Sequence, residues 1–192
     1  KKLPKALAPI NKVPFLYYQI KNWKKQGITD FVFLLHFEAE MIISFLESEK
    51  LGILKNCSVK CIIEPKPLGT GGAIKNALPL IEKPFFIAMN GDSYCDINLE
   101  DLISFHLKTK ADVSIAISTA DPSRKDTGLI NVDKFDKIVS FKEKSNYKSG
   151  LYLNAGIYVM NKNIIEKYEA NKFSLEIDFL PSMIKTNKIY GF

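Results

Sequence analysis

The sequence alternates between two hydrophobic periods, and this alternation constrains the fold more than any other feature. Continuous apolar runs at 30–35 and 85–89 are typical of strands buried on both faces of a sheet. Helical patterns lie between such runs, at 15–23, 38–47 and 99–108. Strands that alternate with helices of this length form parallel β-α-β units with right-handed crossovers. The sequence therefore predicts an α/β fold, with a mixed, mostly parallel sheet flanked by helices.

The spacing of the elements changes beyond residue 120. Two short apolar stretches, at 129–132 and 137–141, are separated by a polar turn and predict a small antiparallel hairpin. A longer strand is predicted at 151–160, followed by helical segments around Ile164 and Ile177. The chain contains neither an internal repeat nor a linker-like stretch, so we expect residues 1–192 to form a single domain.

Composition and charge exclude several classes of protein. Hydrophobic residues make up 46% of the chain and charged residues 25%, which excludes a disordered, collagen-like or coiled-coil protein. Lysine and arginine exceed aspartate and glutamate by 27 to 21, a net charge of +6, but the lysines are spread along the whole chain. This spread favours a solvated surface over a nucleic-acid-binding patch. We therefore expect no nucleic-acid partner.

Cysteine and histidine usage argue against metal-thiolate chemistry. The three cysteines, Cys57, Cys61 and Cys95, form no C-x-x-C pair, and the chain has two histidines. We expect Cys57 and Cys61 to act as small buried hydrophobic side chains in a reducing, cytoplasmic protein. The longest run without charge, 149–161, is too short to cross a bilayer, so no membrane insertion is expected.

Two segments that follow predicted parallel strands could bind a ligand, because ligands sit outside the carboxyl ends of such strands. The first, 64–72, carries glycines at 69, 71 and 72 ahead of a predicted helix, which allows close approach to a ligand; it could equally be a flexible turn. The second is Asn90-Gly91-Asp92. Its carboxylate could hold a divalent cation against a phosphate, or the segment could be an Asx turn that ends the strand.

A third segment, 141–144, closes the predicted hairpin with alternating charges, which taken alone is typical of a solvent-facing edge strand. Together the segments resemble the sugar-1-phosphate nucleotidyltransferases, in the order and spacing of six motifs over essentially the whole chain. The motifs are Pro4 to Pro9, Pro14-Phe15-Leu16, Glu64-Pro65 with Leu68-Gly69-Thr70-Gly71, Asn90-Gly91-Asp92, Phe141 to Lys144, and Asn154 to Tyr158. Within that family, Leu68 to Ile74 and Asn90 to Tyr94 look most like the D-glycero-D-manno-heptose 1-phosphate guanylyltransferases.

This resemblance implies a Rossmann-like nucleotidyltransferase fold and an enzyme that condenses an NTP with a sugar 1-phosphate, releasing pyrophosphate. Such a bacterial enzyme would supply precursors of surface polysaccharide or lipopolysaccharide. The attacking phosphate is already ionised near neutral pH, since its second pKa is about 6, so no general base is required. Catalysis must then come from alignment of two anions and neutralisation of charge, which calls for Mg²⁺ and lysines.

The resemblance also implies roles for particular residues. Asp92 would bind Mg²⁺, Lys5 would contact the triphosphate, and Lys144 would face the sugar phosphate. Glu64, Gly69 and Thr70 would frame the base. The remaining implied contacts are Gly71, Asn90 and Gly91 on the nucleotide side, and Glu143, Asn154 and Gly156 on the sugar-phosphate side.

The nucleotide is predicted from Glu64. Guanine presents two adjacent donors on its pairing edge, and an ionised carboxylate can accept both in one bidentate contact. Uracil and thymine offer one donor between two acceptors, which a neutral amide would suit better. Glu64 therefore predicts GTP as the substrate, with the alternative that Glu64 is a surface residue that ends its strand.

Several alternatives stay open at this point. A mannose-1-phosphate guanylyltransferase or a uridylyltransferase would show the same motifs, and so would a silent member of the fold that only binds a nucleotide sugar or a partner subunit. A homo-oligomer is also compatible with the sequence. Compared with the family pattern, we expect the domain to lack the first strand with its Gly-rich loop and a second metal carboxylate near the C-terminal end. The turn at 123–128 carries an insertion.

Overall fold

A computed structural model describes residues 3–119, 129–142 and 151–192. The chain divides into two compact units, Lys1–Pro67 and Leu68–Phe192. Within the described ranges, the helices are too short or too polar to cross a lipid bilayer.

The first unit is built around one parallel strand pair. After a 3₁₀ turn at Lys5–Leu7, strands β1 (Pro9–Ile10) and β2 (Val13–Pro14) form a tight hairpin. Helix α1, strand β3, helix α2 and strand β4 follow, and β3 pairs with β4 in parallel. Their ranges are Phe15–Lys25, Asp30–Leu35, Ala39–Ser48 and Ser58–Ile63. Apolar side chains from the turn, from both helices and from the segment after α2 form the core of this unit: Leu7, Leu16, Ile20, Leu46 and Leu54.

Local sequence explains the bounds of α1. Pro14 lies immediately before the helix, where its missing N–H removes no intrahelical hydrogen bond. Gly27 follows the last turn with φ +90°, a left-handed conformation that glycine adopts without steric cost. The helix predicted at 15–23 is confirmed, and it extends to Lys25.

The second unit contains a six-stranded sheet in the order β10-β6-β9-β7-β8, with β5 also paired to β9. The strands are β5 Phe85–Met89, β6 Val113–Thr119, β7 Leu129–Val132, β8 Ile138–Lys142, β9 Tyr152–Asn161 and β10 Ile189–Gly191. Strand β6 covers nearly the full length of one edge of β9, so β5 and β7 share the other edge. Because β5, β6 and β7 each run antiparallel to β9 and β10 runs parallel to β6, four strands point in one direction.

Helices of the second unit are α3 (Gly69–Ala77), α4 (Leu99–Thr109), α5 (Lys162–Glu166) and α6 (Leu180–Met183). A 3₁₀ turn at Leu78–Leu80 extends α3, and a π-helical turn at Leu175–Phe179 leads into α6. The predicted α/β class, the mixed sheet and the β7–β8 hairpin are confirmed. Among the described residues of the six-stranded sheet, however, only β10 and β6 pair in parallel, and the other pairs are antiparallel. Strand β10 is not predicted from the sequence, because its three residues are too short to show a period.

Three expectations about burial and helix limits are wrong in detail. Strands β3 and β5 are mostly half-buried rather than buried on both faces, because within the described ranges each pairs along one edge. Cys61 is exposed and Cys57 is half-buried, so neither is the fully buried side chain that the sequence predicts. The glycine pair at 71–72 lies inside α3 instead of ahead of it.

Candidate functional site

The segment after β5 is a tight turn anchored to β9. The N–H of Ser93 donates to the carbonyl of Asn90 at 3.4 Å, so Gly91 and Asp92 occupy the centre of the turn. The N–H of Asn90 donates to the carbonyl of Gly156 at 2.9 Å. The Asp92 side chain is exposed. The turn therefore presents a carboxylate to solvent from a fixed backbone at the end of a strand.

Strand β9 carries a bulge where it meets this turn. Between the pairs Ile115↔Tyr158 and Ile117↔Asn154, β9 has three residues where β6 has one. Gly156 lies in this bulge with φ +74°, and a Cβ there would lie 2.7 Å from Nδ2 of Asn90. A bulge changes the direction in which side chains leave a strand. Here it lets Asn154 turn its amide oxygen onto the N–H of Gly156, at 3.0 Å.

The glycine-rich start of α3 packs against the chain's own segment 171–174. The N–H groups of Gly71 and Gly72 both donate to the carbonyl of Phe173 at 3.1 Å. A Cβ on Gly69 would lie 2.5 Å from that carbonyl, and one on Gly71 would lie 2.2 Å from the Phe173 ring. Close packing therefore explains why glycines are tolerated within a helix that disfavours them. The N–H groups of Gly71 and Gly72 are therefore used in hydrogen bonds within the protein. Gly69 and Thr70 form the first turn of the helix.

A chain of hydrogen bonds connects this helix start to the bulge in β9. The Thr70 hydroxyl donates to Oε2 of Glu176 at 2.6 Å, and the Tyr158 hydroxyl donates to Oε1 of Glu176 at 3.2 Å. Nδ2 of Asn154 donates to the Tyr158 hydroxyl oxygen at 2.7 Å. We call these residues, together with Ser174, the Glu176 network. It connects Thr70 and Asn154, for which the family resemblance implies contacts with the nucleotide and the sugar, respectively.

Four predicted site residues, Lys5, Glu64, Glu143 and Lys144, do not belong to the Glu176 network. Lys5 is exposed in the 3₁₀ turn of the first unit. Glu64 follows β4 and is 8% exposed, so its interpretation as a surface residue is wrong. Its N–H donates to the carbonyl of Leu35 at 2.7 Å, and its carbonyl lies 2.8 Å from Nδ1 of His36. Glu143 and Lys144 lie outside the described residues.

A magnesium ion bound through substrate phosphates is compatible with Asp92. Within residues 3–119, 129–142 and 151–192, the side chains form no cluster of three or more metal ligands. Mg²⁺ keeps several waters and is commonly held by one or two carboxylates plus substrate phosphates, not by a protein cage. The exposed carboxylate of Asp92, on an anchored turn, meets that requirement for one ligand.

The roles of Glu176, Tyr158 and Phe173 are not predicted from the sequence. Tyr158 belongs to the motif Asn154 to Tyr158, but its 1% exposure and its hydroxyl partners appear only in the structure. The segment from Ser174 to Asp178 has the pattern of a helix start. Ser174 does accept from the N–H groups of Glu176 and Ile177, and Asp178 accepts from the N–H of Ser174. This pattern is typical of a helix start that both Glu176 and Asp178 would cap locally. Asp178 does so, whereas Glu176 accepts from Thr70 and Tyr158 in distant segments.

Comparison with known proteins shows which family the chain belongs to. The family model described as Nucleotidyl transferase matches residues 1–189. A D-glycero-alpha-D-manno-heptose 1-phosphate guanylyltransferase of Aneurinibacillus thermoaerophilus is 35% identical over 99% of this chain and 80% of its own length. A probable mannose-1-phosphate guanylyltransferase 1 of Oryza sativa is 29% identical over 98% of this chain and 53% of its own length.

A solved structure is also similar over the whole chain. HddC from Yersinia pseudotuberculosis, complexed with GMP-PN, superposes with a TM-score of 0.86 at 34% identity, covering 100% of this chain and 81% of that one. The fold, the ordered motifs and the family match lead to the same conclusion. This chain belongs to the nucleotidyl transferase family.

Proposed function

We propose that this protein is a sugar-1-phosphate guanylyltransferase, which condenses GTP with a sugar 1-phosphate of the heptose class and releases pyrophosphate. The observation that carries the proposal is the Glu176 network, which joins the glycine-rich start of α3 to the bulge of β9. The Aneurinibacillus relative, a heptose 1-phosphate guanylyltransferase at 35% identity, supports the substrate class. The product would be a nucleotide sugar for surface polysaccharide or lipopolysaccharide synthesis in the bacterial cytoplasm.

In the proposed reaction, an oxygen of the sugar 1-phosphate forms a bond to the α-phosphorus of GTP. The bond from that phosphorus to the bridging oxygen of the β-phosphate breaks, and pyrophosphate leaves. The nucleophile needs no deprotonation, since the second pKa of a phosphate monoester is about 6. His106 is not a candidate base, because it is 2% exposed and bonded to Ser114 and Asn161.

We propose the following roles for the residues that would hold the substrates. Thr70 and Gly69, at the first turn of α3, would contact the nucleotide, and Asn154 would contact the sugar hydroxyls. Lys5 and Lys144 would neutralise phosphate charge, and Glu64 would accept from guanine. Asp92 would be the protein ligand of Mg²⁺, which when bound would neutralise charge on the phosphates. The chain's own contribution is alignment, which can lower a barrier by about 7 to 11 kcal/mol.

The test is pyrophosphate release by the full-length protein, with four NTPs crossed against a panel of sugar 1-phosphates that includes heptose, mannose and glucose 1-phosphates. We expect turnover with GTP and heptose 1-phosphate, and loss of turnover when divalent metal is chelated. Preference for mannose 1-phosphate would favour the activity named for the Oryza relative instead. No pyrophosphate from any pair would refute the enzymatic proposal and leave a protein that only binds its ligands.

A further inference from the structure

The carboxylate of Glu176 is held at both oxygens by three hydroxyl groups from separate segments. Oε2 accepts from Thr70 at 2.6 Å and from Ser174 at 3.1 Å, and Oε1 accepts from Tyr158 at 3.2 Å. Thr70 belongs to α3, Tyr158 to β9 and Ser174 to the approach to the π-helical turn. A carboxylate bonded in this way has one available orientation, because rotation of its side chain would break bonds at both oxygens.

The other hydrogen bonds of these hydroxyls determine which way their hydrogens point. The Thr70 oxygen accepts from the N–H of Leu175 at 2.8 Å, so its own hydrogen is directed at Glu176. The Tyr158 oxygen accepts from Nδ2 of Asn154 at 2.7 Å, so its hydrogen is also directed at Glu176. Both hydroxyls therefore donate, and an ionised carboxylate, which only accepts, satisfies both.

The sugar-side branch of the network is fixed as far as Asn154. The amide nitrogen of Asn154 is bonded to Tyr158, and its amide oxygen accepts from the N–H of Gly156 at 3.0 Å. Tyr158 between them is 1% exposed, so its hydroxyl has little access to water. Thr70, at the other end, is exposed. The network thus starts at a surface position of the nucleotide side and passes through the interior to the sugar side.

We propose that Glu176 is a positioning residue that orients Thr70 on the nucleotide side and, through Tyr158, Asn154 on the sugar side. This inference rests on the proposed function. Without the carboxylate, the buried Tyr158 hydroxyl loses its acceptor and the Asn154 amide loses a fixed partner, while Thr70 becomes able to rotate. Both substrates are then held less accurately, and small misplacements are costly for a reaction that depends on alignment.

Asp178 offers a matched control from the same turn. Its carboxylate accepts from the N–H of Ser174 at 2.7 Å, which is a local contact within the helix start. If Glu176 only stabilised that helix start, Glu176→Gln and Asp178→Asn should behave alike. If Glu176 positions the substrate-binding residues, only its replacement should change the kinetics.

The experiment measures kcat and KM for GTP and for the sugar 1-phosphate by pyrophosphate release, with melting temperature as the check on folding. We expect Glu176→Ala to lower kcat/KM for both substrates by at least about tenfold. Glu176→Gln should recover part of the loss, because its amide oxygen still accepts one hydroxyl. Tyr158→Phe should raise KM for the sugar phosphate more than KM for GTP. Asp178→Asn should leave kcat/KM for both substrates unchanged.

Normal kinetics for both substrates in a folded Glu176→Ala protein would overturn the proposal, and so would equal effects of Glu176→Gln and Asp178→Asn. If Glu176→Ala fails to fold, Thr70→Val and Tyr158→Phe test the same network by removing one hydroxyl each. Their effects should then be non-additive in the double variant, and strict additivity would contradict a shared carboxylate. A wild-type protein without any activity would instead refute the proposed function, which separates the two failures.

Discussion

The hydroxyl of Thr70 lies 2.6 Å from Oε2 of Glu176, although 106 positions separate the two residues in the chain. The segment that carries Glu176 wraps α3 from the side. Nζ of Lys75 donates to the carbonyls of Tyr168 and Ala170, and Phe173 accepts from Gly71 and Gly72. The start of α3 is therefore held by residues from the C-terminal third of the chain.

Asp92→Asn should lower kcat by at least about a hundredfold, because the neutral amide cannot replace a carboxylate as a ligand of Mg²⁺ on the phosphates. The melting temperature should stay close to that of the wild type, since the side chain is exposed. Asp96→Asn, at an exposed carboxylate four positions later, is the matched control and should retain activity. Near-normal turnover in a folded Asp92→Asn protein would refute the metal role.

Gly156→Ala should destabilise the protein by about 1 to 3 kcal/mol, because a residue with a Cβ is strained at positive φ. The φ of Gly156 is +74°, and its added Cβ would lie 2.7 Å from Nδ2 of Asn90. Chemical unfolding followed by circular dichroism measures the change. Gly91→Ala is the control, since a Cβ at Gly91 meets nothing within 4 Å. Equal free energies of unfolding for the two variants would show that a side chain at position 156 does not strain the bulge.

The stability of the protein should fall as the pH drops from 7 to 5, in part because of His106. Burial lowers the pKa of His106 from its ordinary value of 6.5, with hydrogen bonding to Asn161 opposing the shift. The unfolded chain therefore binds a proton at a higher pH than the folded one, and the free energy of unfolding decreases as pH falls below the unfolded pKa.

Chemical unfolding at several pH values tests this expectation. His106→Gln should be less stable at neutral pH, because the contacts to Ser114 and Asn161 are disturbed, but its stability should depend less on pH in this window. An unchanged slope in His106→Gln would assign the acid sensitivity to other groups.

Glu64→Gln should erode the preference for GTP over UTP and dTTP, because an amide no longer offers two acceptors to the guanine edge. A site built for such hydrogen bonds can discriminate by several powers of ten, so the change in the ratio of kcat/KM values should be large. Glu40→Gln, at an exposed position of the same unit, should leave the ratio unchanged. Wild-type use of UTP as readily as GTP would contradict this role of Glu64.

Local patterns in the chain are sufficient to predict the α/β class and most of the helices and strands. Strands such as β3 and β5 are continuous apolar runs, and α1 is bounded by Pro14 and Gly27, so local patterns were sufficient to place them. The ordered motifs also determined the family, because each motif is contiguous in the chain. Contiguous features can be detected without knowledge of what packs against them.

The contacts that support these motifs come from segments far away in the chain and could not be predicted from local patterns. The glycines of α3 follow a helix-breaking pattern, and their place inside the helix depends on Phe173, roughly a hundred positions away. Glu176 lies in a segment whose local pattern indicates capping, yet its carboxylate joins Thr70 to Tyr158. Hydrogen bonds between distant segments have no period and no local composition, so their partners are set by how the strands and helices pack.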